Sequence, residues 1–129
     1  PIGQGFRYRR MLSRRPGLRK LALGAIVAHP GMLRPEITYE LMFGAGKPGF
    51  VPATSALMSH DFFDQLPQIG CPTLIVWGPK DRVVTVRDAE RYHRQVAGSR
   101  VLIYPDTGHL PMVERPERFN ADLQMFLAE

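Results

Sequence analysis

The sequence predicts an α/β fold built on two parallel strands, and three observations carry that reading. Thr73–Trp77 and Val101–Tyr104 are short continuous apolar runs, the pattern of strands covered on both faces in a parallel sheet. The stretch between them has helical periodicity and ends at Gly98, so strand, helix and strand follow in the compass of a βαβ unit. Each apolar run passes into turn residues and then meets a titratable side chain, Asp81 after the first and His109 after the second. In open α/β sheets, functional groups gather just past the carboxyl ends of the strands.

Taken in order, residues 1–16 lack clear periodicity and are punctuated by Pro1, Gly3, Gly5 and Pro16, so a loop with at most a short helix is expected. From Leu18, the positions Leu18, Leu21, Ala22, Ala25 and Ile26 share one helical face. His29-Pro30-Gly31 ends that helix, because a residue before proline avoids the helical region. Pro35 opens a second helix to about Phe43, with Ile37 and Leu41 inward. Gly44–Gly49 is a glycine-rich loop without the spacing or the feeding strand of a phosphate-binding loop. A third helix from about Pro52 to His60 presents Leu57 and Met58, and residues 61–70 connect it to the first strand.

Thr85 and Asp88 have the spacing of a capping box opening the crossover helix, with Ala89, Tyr92 and Val96 as its buried stripe. Pro116 starts a last helix with Phe119, Leu123, Phe126 and Leu127 on its inner face. The domain reading is therefore residues 1–68 as a helical segment with a basic N-terminal arm, and 69–129 as a βαβα part.

Composition narrows the function classes. At 129 residues the chain forms one domain at most, with a modest core. No apolar run reaches the length of a membrane span, and the apolar stretch near Leu21 follows a basic segment rather than forming a signal peptide. A single cysteine, Cys71, excludes an internal disulfide and fits a reducing, cytoplasmic setting. It lacks a basic neighbour and reads as a small buried hydrophobe. Residues 1–20 hold seven basic side chains (Arg7, Arg9, Arg10, Arg14, Arg15, Arg19, Lys20) and no acid, while the remainder is near neutral. Without a nucleic-acid motif beside it, that arm reads as a solvated surface, and no specific nucleic-acid partner is expected.

The two strand-end blocks carry a family resemblance. Ile69–Gly78 with Asp81 resembles the seventh strand and acid turn of the α/β-hydrolases, and Asp106–Phe119 resembles their eighth strand end, histidine loop and final helix. The resemblance covers the last 60 residues, and residues 1–68 are similar to the family's variable lid. It implies a nucleophile–His–acid triad with no metal or organic cofactor, in which His109 is the general base and Asp81 orients its ring. Asp106, three residues from His109, competes for the acid role, and Asp81 is preferred because its place after Gly78 matches the family turn.

His29, His60 and His93 have no such context and read as surface or cap residues. Trp77, Phe62, Phe63 and Met112 are candidates for either a pocket wall or the core. The sequence departs from the family at the nucleophile. Ser13, Ser55, Ser59 and Ser99 all lack flanking glycines two residues to each side, and no oxyanion loop is recognisable.

The expectation is thus the C-terminal part of a lid-bearing hydrolase of small, mostly apolar esters or related substrates, with the nucleophile open between Ser (acyl transfer) and Asp (epoxide or halide chemistry), inactive alone and able to self-associate through an open sheet edge. The rival reading is non-enzymatic: a small α/β module whose basic arm binds a partner or a polyanion.

Overall fold

The computed structural model describes residues 11, 13–44 and 47–129. Arg7, Arg9 and Arg10 of the basic arm, and Ala45 and Gly46 of the glycine-rich loop, lie outside the described residues. The chain forms two compact units. One contains the residues up to Leu23 together with Pro30–Phe62, and the other contains Gly24–His29 with Phe63–Glu129.

The first unit is helical. Helix α1 spans Pro16–Leu23, a short 3-10 turn covers Pro30–Met32, and helices α2 and α3 span Pro35–Gly44 and Phe50–Ser59. The stripe expected on α1 is corrected by one position. Arg19 and Leu23 are the buried residues, and Leu21 is 86% exposed. The reason is polar: the buried guanidinium of Arg19 donates to the carbonyls of Leu33 (2.7 Å) and Gly31 (2.8 Å). Those carbonyls belong to a turn with few internal bonds, so a long cationic donor outcompetes a leucine there. In α2, Ile37 and Leu41 are half-buried and Thr38 is fully buried. Its hydroxyl donates back to the Arg34 carbonyl (3.2 Å). Helix α3 buries no residue, and Leu57 and Met58 are exposed.

The second unit holds the sheet. Strands β1 (Leu74–Trp77) and β2 (Arg100–Ile103) pair in parallel, with Leu74 opposite Arg100 and Trp77 opposite Ile103. Helix α4 (Val86–Gln95) lies between them in sequence and packs on both strands. Ala89 and Val96 are buried, and the Tyr92 ring stacks on Trp77 and meets Phe63. Trp77 therefore packs against the crossover helix as well as facing the strand end. The side-chain cap does not form: the Asp88 amide donates to the Thr85 carbonyl (3.0 Å), a backbone turn bond, while the Thr85 hydroxyl donates to the Asp88 carboxylate (3.0 Å). Arg91 holds that carboxylate from the other side and, with Thr85, keeps it below the usual range. Cys71 is exposed, not buried, because it sits in the bend ahead of Pro72 before the strand begins.

A four-residue helix α5 (Pro111–Glu114) leads into α6 (Pro116–Leu127). Phe119, Leu123 and Phe126 are half-buried, and Leu127, expected inward, is 72% exposed near the chain end. Helix α6 is tied to the end of β2 by Tyr104, whose ring is fully buried and whose hydroxyl donates to the Asp122 carboxylate (2.6 Å). Burial, and then the Asp122 carboxylate, push the Tyr104 hydroxyl from 10.0 up to about 12. A raised folded-state value means that the neutral phenol stabilises the fold. That contribution is complete below the ordinary tyrosine range and is lost as pH climbs through about 12. In an alkaline absorbance titration, Tyr104 is expected to ionise in a late step near 12. Asp122→Asn should lower that midpoint. A titration without the late step would show that Tyr104 is open to solvent.

Candidate active site

The loops after β1 and β2 face each other. After β1 the chain turns at Gly78, and the Asp81 amide donates to the Gly78 carbonyl (3.2 Å). The Asp81 side chain is only 3% exposed. Its Oδ1 accepts the amides of Val83 (2.8 Å) and Val84 (2.9 Å), the local turn that Asp side chains favour. Its other oxygen, Oδ2, is left for the His109 ring and lies 2.8 Å from Nδ1. The indole N–H of Trp77 donates to the Val84 carbonyl (3.3 Å), closing the same turn from the strand side.

After β2 the chain runs through Pro105 and Asp106, the latter at φ 56°, a left-handed conformation that Asp tolerates better than most side chains. The buried Thr107 donates its hydroxyl to the Pro105 carbonyl (3.1 Å). The Lys80 amide donates to the Thr107 carbonyl (2.9 Å), joining the two loops one residue from Asp81. Position 78 must be glycine for this approach, since a Cβ there would meet the carbonyl oxygens of Thr107 and Gly108.

Asp106, the competing acid, is engaged elsewhere. Its carboxylate pairs with Lys80, with His29 Nε2 (2.7 Å) and with the Arg115 guanidinium (3.6 Å). Lys80 and then His29 hold its carboxyl below the usual range. His29 thus has a defined partner on the β2 loop. His93 bonds through Nδ1 to the Ser99 hydroxyl (2.9 Å), away from the strand-end loops. Among the described residues, no serine hydroxyl bonds to the His109 ring, and no group of three His, Cys, Asp or Glu side chains is placed to hold a metal.

Beside the Asp81–His109 pair lies a recess of about 110 Å³, walled by Val76, Trp77, Gly78 and Pro111. The wall is mostly apolar, and the His109 side chain is 35% exposed. An exposed imidazole edge beside an apolar wall and a buried carboxylate can exchange a proton with a group placed in the recess.

One residue at this site was not singled out by the sequence. Glu114, half-buried on α5, accepts the Gly108 amide at Oε1 (2.9 Å) and the Ala28 amide at Oε2 (2.8 Å). The His109 amide donates to the Ile26 carbonyl (2.7 Å). The histidine loop therefore rests on residues 26–28. Gly108 fits that contact closely: a Cβ there would lie 2.8 Å from both the Ala28 nitrogen and the Ile26 oxygen. Glu114 lies five positions after His109, a usable local signal, but Ala28 is 86 positions away from Glu114 and no sequence pattern joins them.

Known proteins share this arrangement of elements. The chain is 43% identical over 68 residues to a 2-hydroxy-6-oxononadienedioate/2-hydroxy-6-oxononatrienedioate hydrolase of Klebsiella pneumoniae, an alignment covering 53% of this chain and 24% of that protein. It is 32% identical over 90 residues to a proline iminopeptidase of Saccharolobus solfataricus, covering 70% of this chain and 28% of the relative. Its structure superposes on an esterase from Exiguobacterium antarcticum with a TM-score of 0.73 and 28% identity, covering 98% of this chain and 48% of the esterase. The chain thus spans at most about half the length of these proteins. The model of the alpha/beta hydrolase family matches residues 1–122, nearly the whole chain, and to that family the chain belongs.

Proposed function

We propose that this chain supplies the general base and the orienting acid of a hydrolase that acts on a small carbonyl substrate by nucleophile–His–acid chemistry. The observation that carries the reading is the 2.8 Å contact between His109 Nδ1 and the buried Asp81 carboxylate beside an apolar recess. An ionised carboxylate only accepts, so Nδ1 carries the proton and Nε2 offers its lone pair to a nucleophile's hydroxyl. The base takes that proton and later returns it to the leaving group. Asp81 holds the ring in this tautomer and stabilises the imidazolium, and Asp106 takes no part.

The nucleophile lies outside these residues in this reading, as do the oxyanion donors, which usually supply the largest single share of the rate. A serine nucleophile is favoured, because the relatives named as an esterase and an iminopeptidase point to acyl transfer. Residues 1–68 correspond to the family's lid segment in this reading, and Leu57 and Met58 are exposed on it.

The test pairs two proteins. A fluorophosphonate probe and a p-nitrophenyl acetate assay are applied to the 129-residue chain and to a form extended with an upstream hydrolase half. The extended form is expected to label on one serine and turn over substrate, and the short chain to do neither. Turnover by the short chain that depends on His109 would overturn the placement of the nucleophile. An extended form that folds and never labels would overturn acyl transfer.

A further inference from the structure

We propose that Glu114 is a positioning residue for His109: its carboxylate clamps the histidine loop to the segment at residues 26–28 and so sets where the imidazole stands. The proposal rests on the reading of Asp81 and His109 as an acid–base pair and deepens it.

The geometry is specific. Each oxygen of the carboxylate takes one backbone amide, Gly108 at 2.9 Å and Ala28 at 2.8 Å. Gly108 immediately precedes the base, and the base's own amide is bound to Ile26 (2.7 Å). The loop is thereby fixed on both sides of the His109 peptide, by one side-chain bridge and one direct bond. Backbone amides left buried without an acceptor are rarely tolerated, so the two donors and the carboxylate form a closed set. The acceptor is mounted on a helix end. Glu114 ends the short helix α5, where its amide donates to the Leu110 carbonyl (2.9 Å). The next residue, Arg115, sends its guanidinium to the Asp106 carbonyl (2.8 Å), so the same corner holds the histidine loop at its start as well.

Glutamine tests this sharply. Its amide has one oxygen acceptor where the carboxylate has two, so one of the two amides must lose its partner while side-chain volume is kept. Alanine removes both acceptors. A shift of about 1 Å in a catalytic group costs on the order of 10²-fold in rate. The loop is therefore expected to lose its registry with Asp81 without the fold being lost.

The readout is the low-field proton resonance of the His109 Nδ1–H, recorded on the 129-residue chain and assigned by its absence in His109→Ala. Far-UV circular dichroism and the late ionisation of Tyr104 serve as folding controls. Glu114→Gln is expected to keep both controls and to broaden the resonance through faster exchange, and Glu114→Ala to remove it. In an extended, active form, Glu114→Gln should lower kcat by about 10²-fold and leave KM within about twofold. A folded Glu114→Ala chain with an unchanged resonance would overturn the role of Glu114 alone. If both variants unfold, Glu114 is a general brace and the positioning role is overturned. A wild-type chain without the resonance would overturn the acid–base pair itself, and this proposal with it.

Discussion

Replacing His109 by alanine in a form that carries the nucleophile is expected to lower kcat by at least about 10⁴-fold, roughly 5.5 kcal/mol of lost transition-state stabilisation. KM should change little, because the ring makes its contribution only when a proton moves. Asp81→Asn is expected to cost a similar order for a different reason, which the turn geometry makes explicit. Oδ1 of Asp81 accepts two backbone amides, from Val83 and Val84, so the single oxygen of an asparagine would be held there. Its amide nitrogen would then point at His109 as a donor. The ring would have to accept at Nδ1 and carry its proton on Nε2, the wrong tautomer for a base. Asp106→Asn disturbs none of these bonds and should leave kcat within a few-fold. Steady-state kinetics on the three variants separate the readings. If Asp106→Asn is the damaging change and Asp81→Asn is mild, the acid role belongs to Asp106.

Gly78→Ala is expected to be the most damaging single methyl addition in the βαβ part. The new Cβ would meet two backbone carbonyl oxygens, of Thr107 and Gly108, and neither can rotate aside as a flexible side chain can. Relief requires the two strand-end loops to part, which breaks the bond from the Lys80 amide to the Thr107 carbonyl and pulls Asp81 from His109. Overpacking of this kind costs about 1–3 kcal/mol or more. The loss should appear as a lower midpoint in chemical denaturation together with loss of the His109 Nδ1–H resonance. Gly70→Ala is the matched control, because a Cβ at that position meets nothing within 4 Å. Equal midpoints for the two variants would mean that the loop approach at Gly78 yields at no cost.

The parts of the fold that were legible in the sequence are those governed by local rules. Continuous apolar runs bounded by Pro72, Gly78 and Pro105 can hardly be other than short strands, and the helical stripe through Ala89 and Val96 needs only neighbouring residues to declare itself. The helix-bearing connection between the strands is long enough for the crossover that parallel pairing requires, and the strands do pair in parallel. Parallel pairing places Asp81 and His109 at the same ends of neighbouring strands, and the structure brings their side chains to 2.8 Å.

Local rules failed where a polar partner or the lack of a covering element outweighed the pattern. Arg19 displaced the apolar stripe of α1 because the carbonyls of Gly31 and Leu33 needed donors. Thr85 turned its hydroxyl to a carboxylate instead of a helix amide. Cys71 and Leu127 are hydrophobic by type, yet one lies just before a strand and the other two residues from the chain end, where nothing in the described residues covers them.

By itself, then, the sequence determined the element types, the parallel βαβ order and the acid and histidine at the strand ends, because each depends on periodicity and on neighbours a few residues away. The family turn after Gly78 favoured Asp81 over Asp106, and the tertiary structure shows what turns each carboxylate toward or away from the histidine. Asp106 is nearer to His109 in sequence, but Lys80, His29 and Arg115 hold it outward, and Asp81, 28 positions away, is buried against the ring. Tertiary structure alone decided that Glu114 anchors the histidine loop, since the amide that completes its clamp comes from Ala28, 86 residues earlier, and a hydrogen bond between segments so far apart exists only once the chain has folded.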